Sequence, residues 1–367
     1  MSKRIIIAGG GTGGHIFPAI AIAQALKMKL PEADFLFVGA KGKMEMEKVP
    51  QAGFRIEGLD IAGFNRSSLI KNITLPYKLL KSFFQVRRIL NTFKPHAVVG
   101  VGGYSTFPVL RWAQMKGIPT FIHEANAFAG KSNQMLAKKA VKVFTGTDKM
   151  ESFFPKDKIV VTGNPVRQSI VQQTTNKEEA IRFFGLNQEA FTLLVVGGSL
   201  GALSINKAIG SGLNRLQQKG IQLIWQTGKP FASKAKVLCE GRSQVWVNDF
   251  ITDMNQAYAA ADLIVSRAGA MSVAEISIVA KPVIFVPYPF AAEDHQTSNA
   301  RHLVEKKGAW MIQDASADEK LIDAVLALAE DGVVRTEMQD ALKKLAVQNA
   351  DQRIAEEIIK TLGSRWN

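Results

Sequence analysis

Asp262-Leu263-Ile264-Val265-Ser266-Arg267-Ala268-Gly269-Ala270-Met271-Ser272-Val273-Ala274-Glu275 is the stretch on which the reading of the chain turns. Its apolar opening is short and reads as a buried strand. The small residues that follow let the backbone approach a ligand closely. A helical pattern then sets in, with Val273, Ile276, Ser277 and Ala280 on one side. A strand, a glycine turn and a helix start together aim N–H groups and the positive end of a helix at one point, where a phosphate or diphosphate is well held. Glu275 lies in the first turns of that helix, where a carboxylate can accept two hydrogen bonds from a ribose diol. The plainer alternative has Gly269 as a turn and Glu275 as compensation for the helix dipole.

At 367 residues the chain is long for a single domain, and two are expected. Hydrophobic residues make up 47% of it, enough for two cores. The charge balance is basic, with 46 Lys and Arg against 32 Asp and Glu and a net charge of +14, which suits anionic partners. The single Cys239 excludes an internal disulfide and fits a reducing compartment. Met1-Ser2-Lys3-Arg4 runs straight into a strand, so no signal peptide is expected. No apolar run has the length of a membrane span.

The strand Arg4–Ala8 meets Gly9-Gly10-Gly11-Thr12-Gly13-Gly14-His15, and a helix is expected from about Ile16 to Lys29. The loop formally matches G-x-G-x-x-G. A dinucleotide site also wants an acidic residue ending the second strand. That strand, Phe35–Val38, ends instead in Gly39-Ala40-Lys41, so a nicotinamide cofactor is disfavoured. Strands over Ala97–Val101 and Pro119–His123 end in Gly102-Gly103-Tyr104-Ser105 and in Glu124-Ala125-Asn126. Functional residues of open α/β sheets gather at the carboxyl ends of strands. His15, Tyr104, His123, Glu124 and Asn126 all fall there, so they are candidate site residues.

Between Asp60 and Glu124 there is no acidic residue, while nine Lys or Arg occur. Within this stretch Leu69, Ile70, Ile73, Leu75, Leu79, Leu80, Phe83 and Phe84 mix with Lys71, Lys78, Lys81, Arg87 and Arg88. That is the composition of a segment lying on an anionic lipid surface. A core-packed helix with a solvated basic face is the alternative.

The apolar pattern breaks at Gly163-Asn164-Pro165-Val166-Arg167, where the link between domains is placed. The second half then begins as the first did: a strand over Phe191–Val196, Gly197-Gly198-Ser199-Leu200-Gly201-Ala202, and a helix from about Leu203. Further strands are expected at Ile221–Gln226, Gln244–Asn248 and Val283–Val286, with a closing helix from about Asp351 to Leu362.

Taken together, Gly9–His15, Tyr104, His123–Asn126, Gly163–Arg167, Gly197–Ala202, Ser266–Glu275 and His295–Ala300 resemble, in order and over nearly the whole chain, the MurG family of glycosyltransferases. The resemblance implies an α/β GT-B fold, with two Rossmann-like doubly wound domains facing each other across a cleft. Residues 1–163 would form the acceptor and membrane domain, with a helix at about 346–367 packed back on it, and residues 164–345 would form the donor domain. It implies transfer of N-acetylglucosamine from UDP-N-acetylglucosamine to the muramyl 4-hydroxyl of lipid I, with inversion, giving lipid II. Thr12, Gly13, Gly14, Asn126, Arg167, Ser199, Ile251, Ala270, Met271, Ser272, Val273, Ala274, Glu275 and Gln296 would hold the donor. Gly103, Tyr104, His123 and Glu124 would meet the acceptor, whose diphosphate would lie against the first glycine loop. Lys71, Lys78, Leu79, Lys81 and Phe83 would face the membrane. One departure is Ala125, where some members carry Gln.

The chemistry needs a base for the attacking hydroxyl and help for departing UDP. His15 is the candidate base. The chain has no D-x-D motif, so no metal or other cofactor is expected, and helix N-termini with Arg167 would carry the leaving charge. The resemblance also implies a place on the cytoplasmic face of the bacterial inner membrane and association with other cell-wall synthesis proteins. A UDP-N-acetylglucosamine 2-epimerase shares fold and donor but has no use for a basic apolar patch. A nucleic-acid binder would explain the charge but not the two glycine loops, so no nucleic acid is expected.

Overall fold

The computed structural model describes residues 3–61, 75–172, 175–198 and 200–363. Ser199 and Lys71 therefore lie outside the described residues, as do the side chains of Lys78 and Leu79. The chain divides into one unit made of residues 1–167 with 349–367, and a second made of 168–348.

The first unit alternates strand and helix: β1 (Arg4–Ala8), α1 (Gly13–Lys29), β2 (Asp34–Ala40), α2 (Glu45–Gln51), β3 (Arg55–Leu59), α3 (Leu75–Phe93) and β4 (Ala97–Gly100). It continues through α4 (Thr106–Met115), β5 (Thr120–Glu124), α5 (Lys131–Ala137), β6 (Lys142–Thr145) and β7 (Ile159–Val161). All its strands pair in parallel, in the order β3-β2-β1-β4-β5-β6-β7. Successive side chains of a strand point to opposite faces, and β1 shows what that does. Ile5 and Ile7 enter a core with Ile22 and Leu26 of α1, while Ile6 and Ala8 enter another with Val86 and Leu90 of α3 and Leu110 of α4. Both faces are thus covered, which explains why these strands read as continuous apolar runs.

The second unit starts with α6 (Gln168–Val171) and α7 (Lys177–Phe183), then β8 (Phe191–Val196), α8 (Leu203–Gln218), β9 (Ile221–Gln226), α9 (Lys229–Leu238) and β10 (Val245–Asn248). It goes on through α10 (Met254–Ala260), β11 (Leu263–Ser266), α11 (Ala270–Val279), β12 (Val283–Phe285), α12 (His295–Glu305), β13 (Trp310–Met311), α13 (Ala317–Glu330) and α14 (Gly332–Leu345). Its parallel sheet runs β10-β9-β8-β11-β12-β13. Leu193, Val195, Leu223, Trp225, Leu263 and Val265 form one inner face against α8, α9 and α13.

The last helix, α15 (Ala350–Leu362), belongs to the first unit. Its Ile354, Ala355, Ile358 and Leu362 recur at helical spacing and complete the core around α1. At about 25 cal/mol per Å² of apolar surface buried, such a stripe is worth several kcal/mol to that unit.

Two details differ from the sequence expectation. Helix α1 starts at Gly13, a turn earlier than the expected Ile16. Arg167 stays with the first unit, where its guanidinium lies 5.1 Å from the centre of the Phe17 ring. Among the described residues no helix is long and apolar enough to cross a membrane.

Candidate functional site

In each sheet the strand order reverses direction once, between β1 and β4 in the first unit and between β8 and β11 in the second. Open α/β sheets bind ligands outside the carboxyl ends of strands at such a switch point. The loops singled out from the sequence leave the sheet at these places.

In the first unit, the loop after β1 and the loop after β4 touch through their backbones. Gly10 N–H donates to the Gly102 carbonyl at 3.2 Å. A Cβ on Gly103 would stand 2.1 Å from the Gly10 carbonyl oxygen, and Gly103 has φ +89°, so only glycine fits. A Cβ on Gly102 would come within 2.7 Å of the His15 ring, which places the half-buried imidazole against that loop. His15 Nδ1 lies 3.2 Å from Thr12 Oγ1. With Nδ1–H donating to this hydroxyl, Nε2 is the acceptor, the tautomer a general base requires. Thr12 and Gly14 are exposed, Gly13 is half-exposed, and Tyr104 is 50% exposed beside Gly11.

The strongest support of this loop is Glu45, which the sequence reading missed. Its fully buried carboxylate accepts from Gly11 N–H at 2.8 Å and Ala40 N–H at 2.9 Å. A Cβ on Gly10 would lie 2.4 Å from it. The available signal was a carboxylate in the first turn of a helix just after Gly39–Gly42.

Two of the acceptor candidates lie inside the first unit. His123 is fully buried and Glu124 is 4% exposed, because β5 is an inner strand covered by its neighbours. Glu124 spends its oxygens on the turn that follows. Oε1 accepts from Asn126 N–H at 3.1 Å and from its side-chain amide at 3.2 Å, while Oε2 accepts from Gly130 N–H at 3.1 Å and Asn133 Nδ2 at 2.9 Å. Glu124 thereby shapes the turn that carries Asn126. Burial pushes the His123 imidazole down to about 4. Gly163 and Asn164 lie against the ring and offset part of that, although neither ring nitrogen has a partner of good hydrogen-bond geometry.

In the second unit, Gly269 precedes α11 with extended backbone, and Ala270, Met271, Ser272, Val273 and Ala274 of the first turns are half-buried. The first N–H groups of a helix have no partner within it, so this turn has the geometry to receive an anion. Glu275, 7% exposed, accepts from the Tyr258 hydroxyl at 3.0 Å, a contact contributed by α10 that the sequence reading did not foresee. Arg267 is internal: its guanidinium donates to the carbonyls of Val286 and Pro287 and pairs with Asp314 at 2.5 Å. Asn299 Nδ2 donates to the Ala268 carbonyl at 3.1 Å and so pins the turn before α11.

Ile251 is 2% exposed, and its N–H already donates to Gln226 Oε1 at 2.9 Å. Of the Ile251 backbone, the carbonyl is therefore the group left to meet the donor. Gln296 Oε1 accepts from Tyr288 N–H at 3.0 Å, leaving its amide nitrogen as the end to offer a sugar hydroxyl.

On α3, Lys81 is exposed as expected, while Phe83 is not. Phe83 is half-buried, 6.4 Å from the Trp112 ring, and Lys81 pairs with Asp60 at 3.0 Å. Together with Lys41, that ammonium holds the Asp60 carboxyl down at about 2. Leu80 and Phe84, 63% and 71% exposed, are the outward apolar residues, beside exposed Arg87 and Arg88. Among the described residues no His, Cys, Asp and Glu cluster is spaced to hold a metal.

Comparison with known proteins places these features. The profile of the "Glycosyltransferase family 28 N-terminal domain" matches residues 5–145, and that of the C-terminal domain matches 192–354. A UDP-N-acetylglucosamine–N-acetylmuramyl-(pentapeptide) pyrophosphoryl-undecaprenol N-acetylglucosamine transferase of Phocaeicola vulgatus is 50% identical over 360 residues, covering 97% of this chain and 96% of that protein. Its namesake in Parabacteroides distasonis is 48% identical over 364 residues, covering 99% of each. Among solved structures, Acinetobacter baumannii MurG superposes with a TM-score of 0.78 at 29% identity, covering 98% of this chain and 99% of that one. A UDP-N-acetylglucosamine 2-epimerase shares the fold at 17% identity with a TM-score of 0.71 over 100% of this chain and 98% of its own. The chain therefore belongs to the family 28 glycosyltransferases with the GT-B fold, within the MurG group.

Proposed function

We propose that this chain transfers N-acetylglucosamine from UDP-N-acetylglucosamine to the 4-hydroxyl of the muramyl-pentapeptide of lipid I, forming lipid II with inversion at the anomeric carbon. The observation that carries this reading is the second unit's switch point, where the α11 N-terminus and the Tyr258-held carboxylate of Glu275 stand together. A diphosphate suits the first turn, Ala270–Val273, and a ribose diol suits the carboxylate. The Ile251 carbonyl accepts from uracil N3–H, and Gln296 offers its amide to the sugar.

In the first unit His15 removes the proton from the attacking hydroxyl, held ready by Thr12 and by the close backbone at Gly102. Asn126 meets the sugar, and Gly103 with exposed Tyr104 meets the acceptor. Negative charge develops on the leaving UDP; the α11 N-terminus stabilises it, acting more strongly in the transition state than in the ground state.

The acceptor is anchored in a bilayer, so the enzyme works as a peripheral protein on the cytoplasmic face of the inner membrane. Leu80 and Phe84 supply the apolar contact there, and Arg87 and Arg88 meet anionic headgroups.

The test is to incubate the protein with UDP-N-acetylglucosamine in EDTA, with and without a lipid-linked muramyl-pentapeptide diphosphate acceptor. Formation of the disaccharide only with acceptor supports the reading. Acceptor-independent epimerisation of the donor, or no reaction with either, refutes it.

A further inference from the structure

The last residue of β9, Gln226, is 3% exposed and joins two loops that the chain brings together from opposite sides of it in sequence. Its Oε1 accepts from Ile251 N–H at 2.9 Å. Its Nε2 donates to the Gly198 carbonyl at 3.0 Å. That carbonyl also accepts from Gly201 N–H at 3.0 Å, which closes the second glycine loop on itself. The amide has no freedom to turn over. One end faces a donor and the other an acceptor, so a flip would set N–H against N–H and oxygen against oxygen.

We propose that Gln226 is a positioning residue for the donor, tying the turn that reads the base to the second glycine loop, which leaves the sheet at the same switch point as the diphosphate-holding turn of α11. The inference rests on the donor reading given above and adds a residue to it. The side chain needs no contact with the nucleotide. It holds Ile251, whose carbonyl is the base-reading atom, at a fixed spacing from Gly198 on the adjoining loop. Uracil and diphosphate are then recognised as one rigid object, and the ordering of both loops is complete before the ligand arrives. Only a neutral side chain with one acceptor and one donor end fits this position. A carboxylate of the same length satisfies Ile251 but turns an oxygen against the Gly198 carbonyl. A thioether satisfies neither.

The acidic substitution gives the proposal a readout that simple loss of packing cannot imitate. A buried carboxyl facing a carbonyl oxygen takes up a proton above its ordinary range. Once protonated, it donates to Gly198 while still accepting from Ile251, as the amide does. Gln226→Glu should therefore behave as a pH-conditional copy of the parent.

The experiment measures UDP-N-acetylglucosamine binding by calorimetry, without acceptor, at pH 8 and at pH 6 for the parent, Gln226→Glu and Gln226→Met. Melting temperatures are recorded alongside. Asp249 and Asp253, the titratable groups of the Ile251 turn, are common to all three proteins, so affinities are compared as ratios to the parent at each pH. At pH 8 both variants should bind about tenfold or more weakly, since each leaves a buried partner unmatched. At pH 6 Gln226→Glu should recover most of its affinity and Gln226→Met none. In turnover the loss should lie in donor KM, with kcat at saturating donor nearly kept. If folded variants bind within twofold of the parent, or the two respond alike to pH, Gln226 does not position the donor. If the parent itself fails to bind UDP-N-acetylglucosamine, the donor reading fails and this inference with it.

Discussion

Protonation of one buried histidine should set the acid limit of the first unit. His123 is fully buried, and burial moves its folded pKa from 6.5 to about 4. In the unfolded chain the same imidazole titrates near its ordinary value. Between pH 6.5 and 4 the unfolded state therefore binds more protons than the folded one, so stability falls as pH falls through that window and levels off below it. Each pKa unit corresponds to about 1.4 kcal/mol, so the loss attributable to this residue is on the order of 3 kcal/mol. That is a large share of the roughly 5–15 kcal/mol that holds a typical domain folded. The loss is checked by denaturant unfolding from pH 7.5 to 4, comparing the parent with His123→Gln, which removes the titrating group. The difference between the two proteins isolates His123 from carboxylates such as Asp60, whose depressed pKa makes its own loss begin lower, as pH falls below 3.8. An imidazole resonance assigned to His123 should remain in its neutral form down to about pH 4. Should the parent and the variant lose stability in parallel across the window, or should the ring titrate near 6.5 in the folded protein, the reasoning from burial is refuted.

Replacing His15 by Ala should lower kcat by roughly 10²–10⁴-fold with donor KM little changed; a loss confined to donor affinity would make it a binding residue. Glu275→Ala should weaken UDP by roughly 10–150-fold, as expected for a charge-assisted hydrogen bond, and Tyr258→Phe should weaken it less; unchanged UDP affinity in calorimetry would remove Glu275 from the ribose. Changing Leu80 and Phe84 to Ser together with Arg87 and Arg88 to Glu should release the protein from anionic vesicles at low salt while turnover of a soluble acceptor persists. Phe83→Ser should instead lower the melting temperature, and co-sedimentation of the quadruple variant at the parent's level would move the membrane surface elsewhere.

What the sequence made legible was local. Both glycine loops, the strands feeding them and α15 show themselves through runs of apolar residues broken by small ones, and the structure finds them within a few residues of their expected bounds. Short strands such as β3, β6, β7 and β13 were not identified. β3 is a sheet edge in which Arg55 and Glu57 alternate with more buried neighbours, and β13 has only two residues. Contacts made across long separations were invisible. Tyr258 reaches Glu275 from the preceding helix, and Glu45 reaches back past β2 to Gly11. His123 and Glu124 were read as ligand contacts because they end a strand. Nothing local says that β5 lies inside the sheet and that its end is covered. The outward residue of the pair Phe83 and Phe84 is decided by where Trp112 of α4 sits, which composition does not reveal.

The two units brace their glycine loops with different side chains, and the difference bears on where the diphosphates go. In each, the strand beside the glycine-loop strand leads to a buried side chain that braces the loop: Glu45 after β2, and Gln226 at the end of β9. Glu45 is a carboxylate, and it takes the N–H of Gly11 for itself. An anion at the first loop is therefore left the first turn of α1 to meet, with the Glu45 carboxyl buried behind Gly10. In the proposed reading the acceptor diphosphate, lying against the first glycine loop, then meets it at the helix end next to His15. Gln226 carries no charge and accepts its N–H from Ile251, outside the glycine loop. The second loop and the α11 N-terminus therefore keep their positive potential, which is what a leaving UDP needs as charge builds on it. In the proposed mechanism the carboxyl brace stands behind the loop that carries the base, and the amide brace stands behind the loop of the unit that holds the diphosphate.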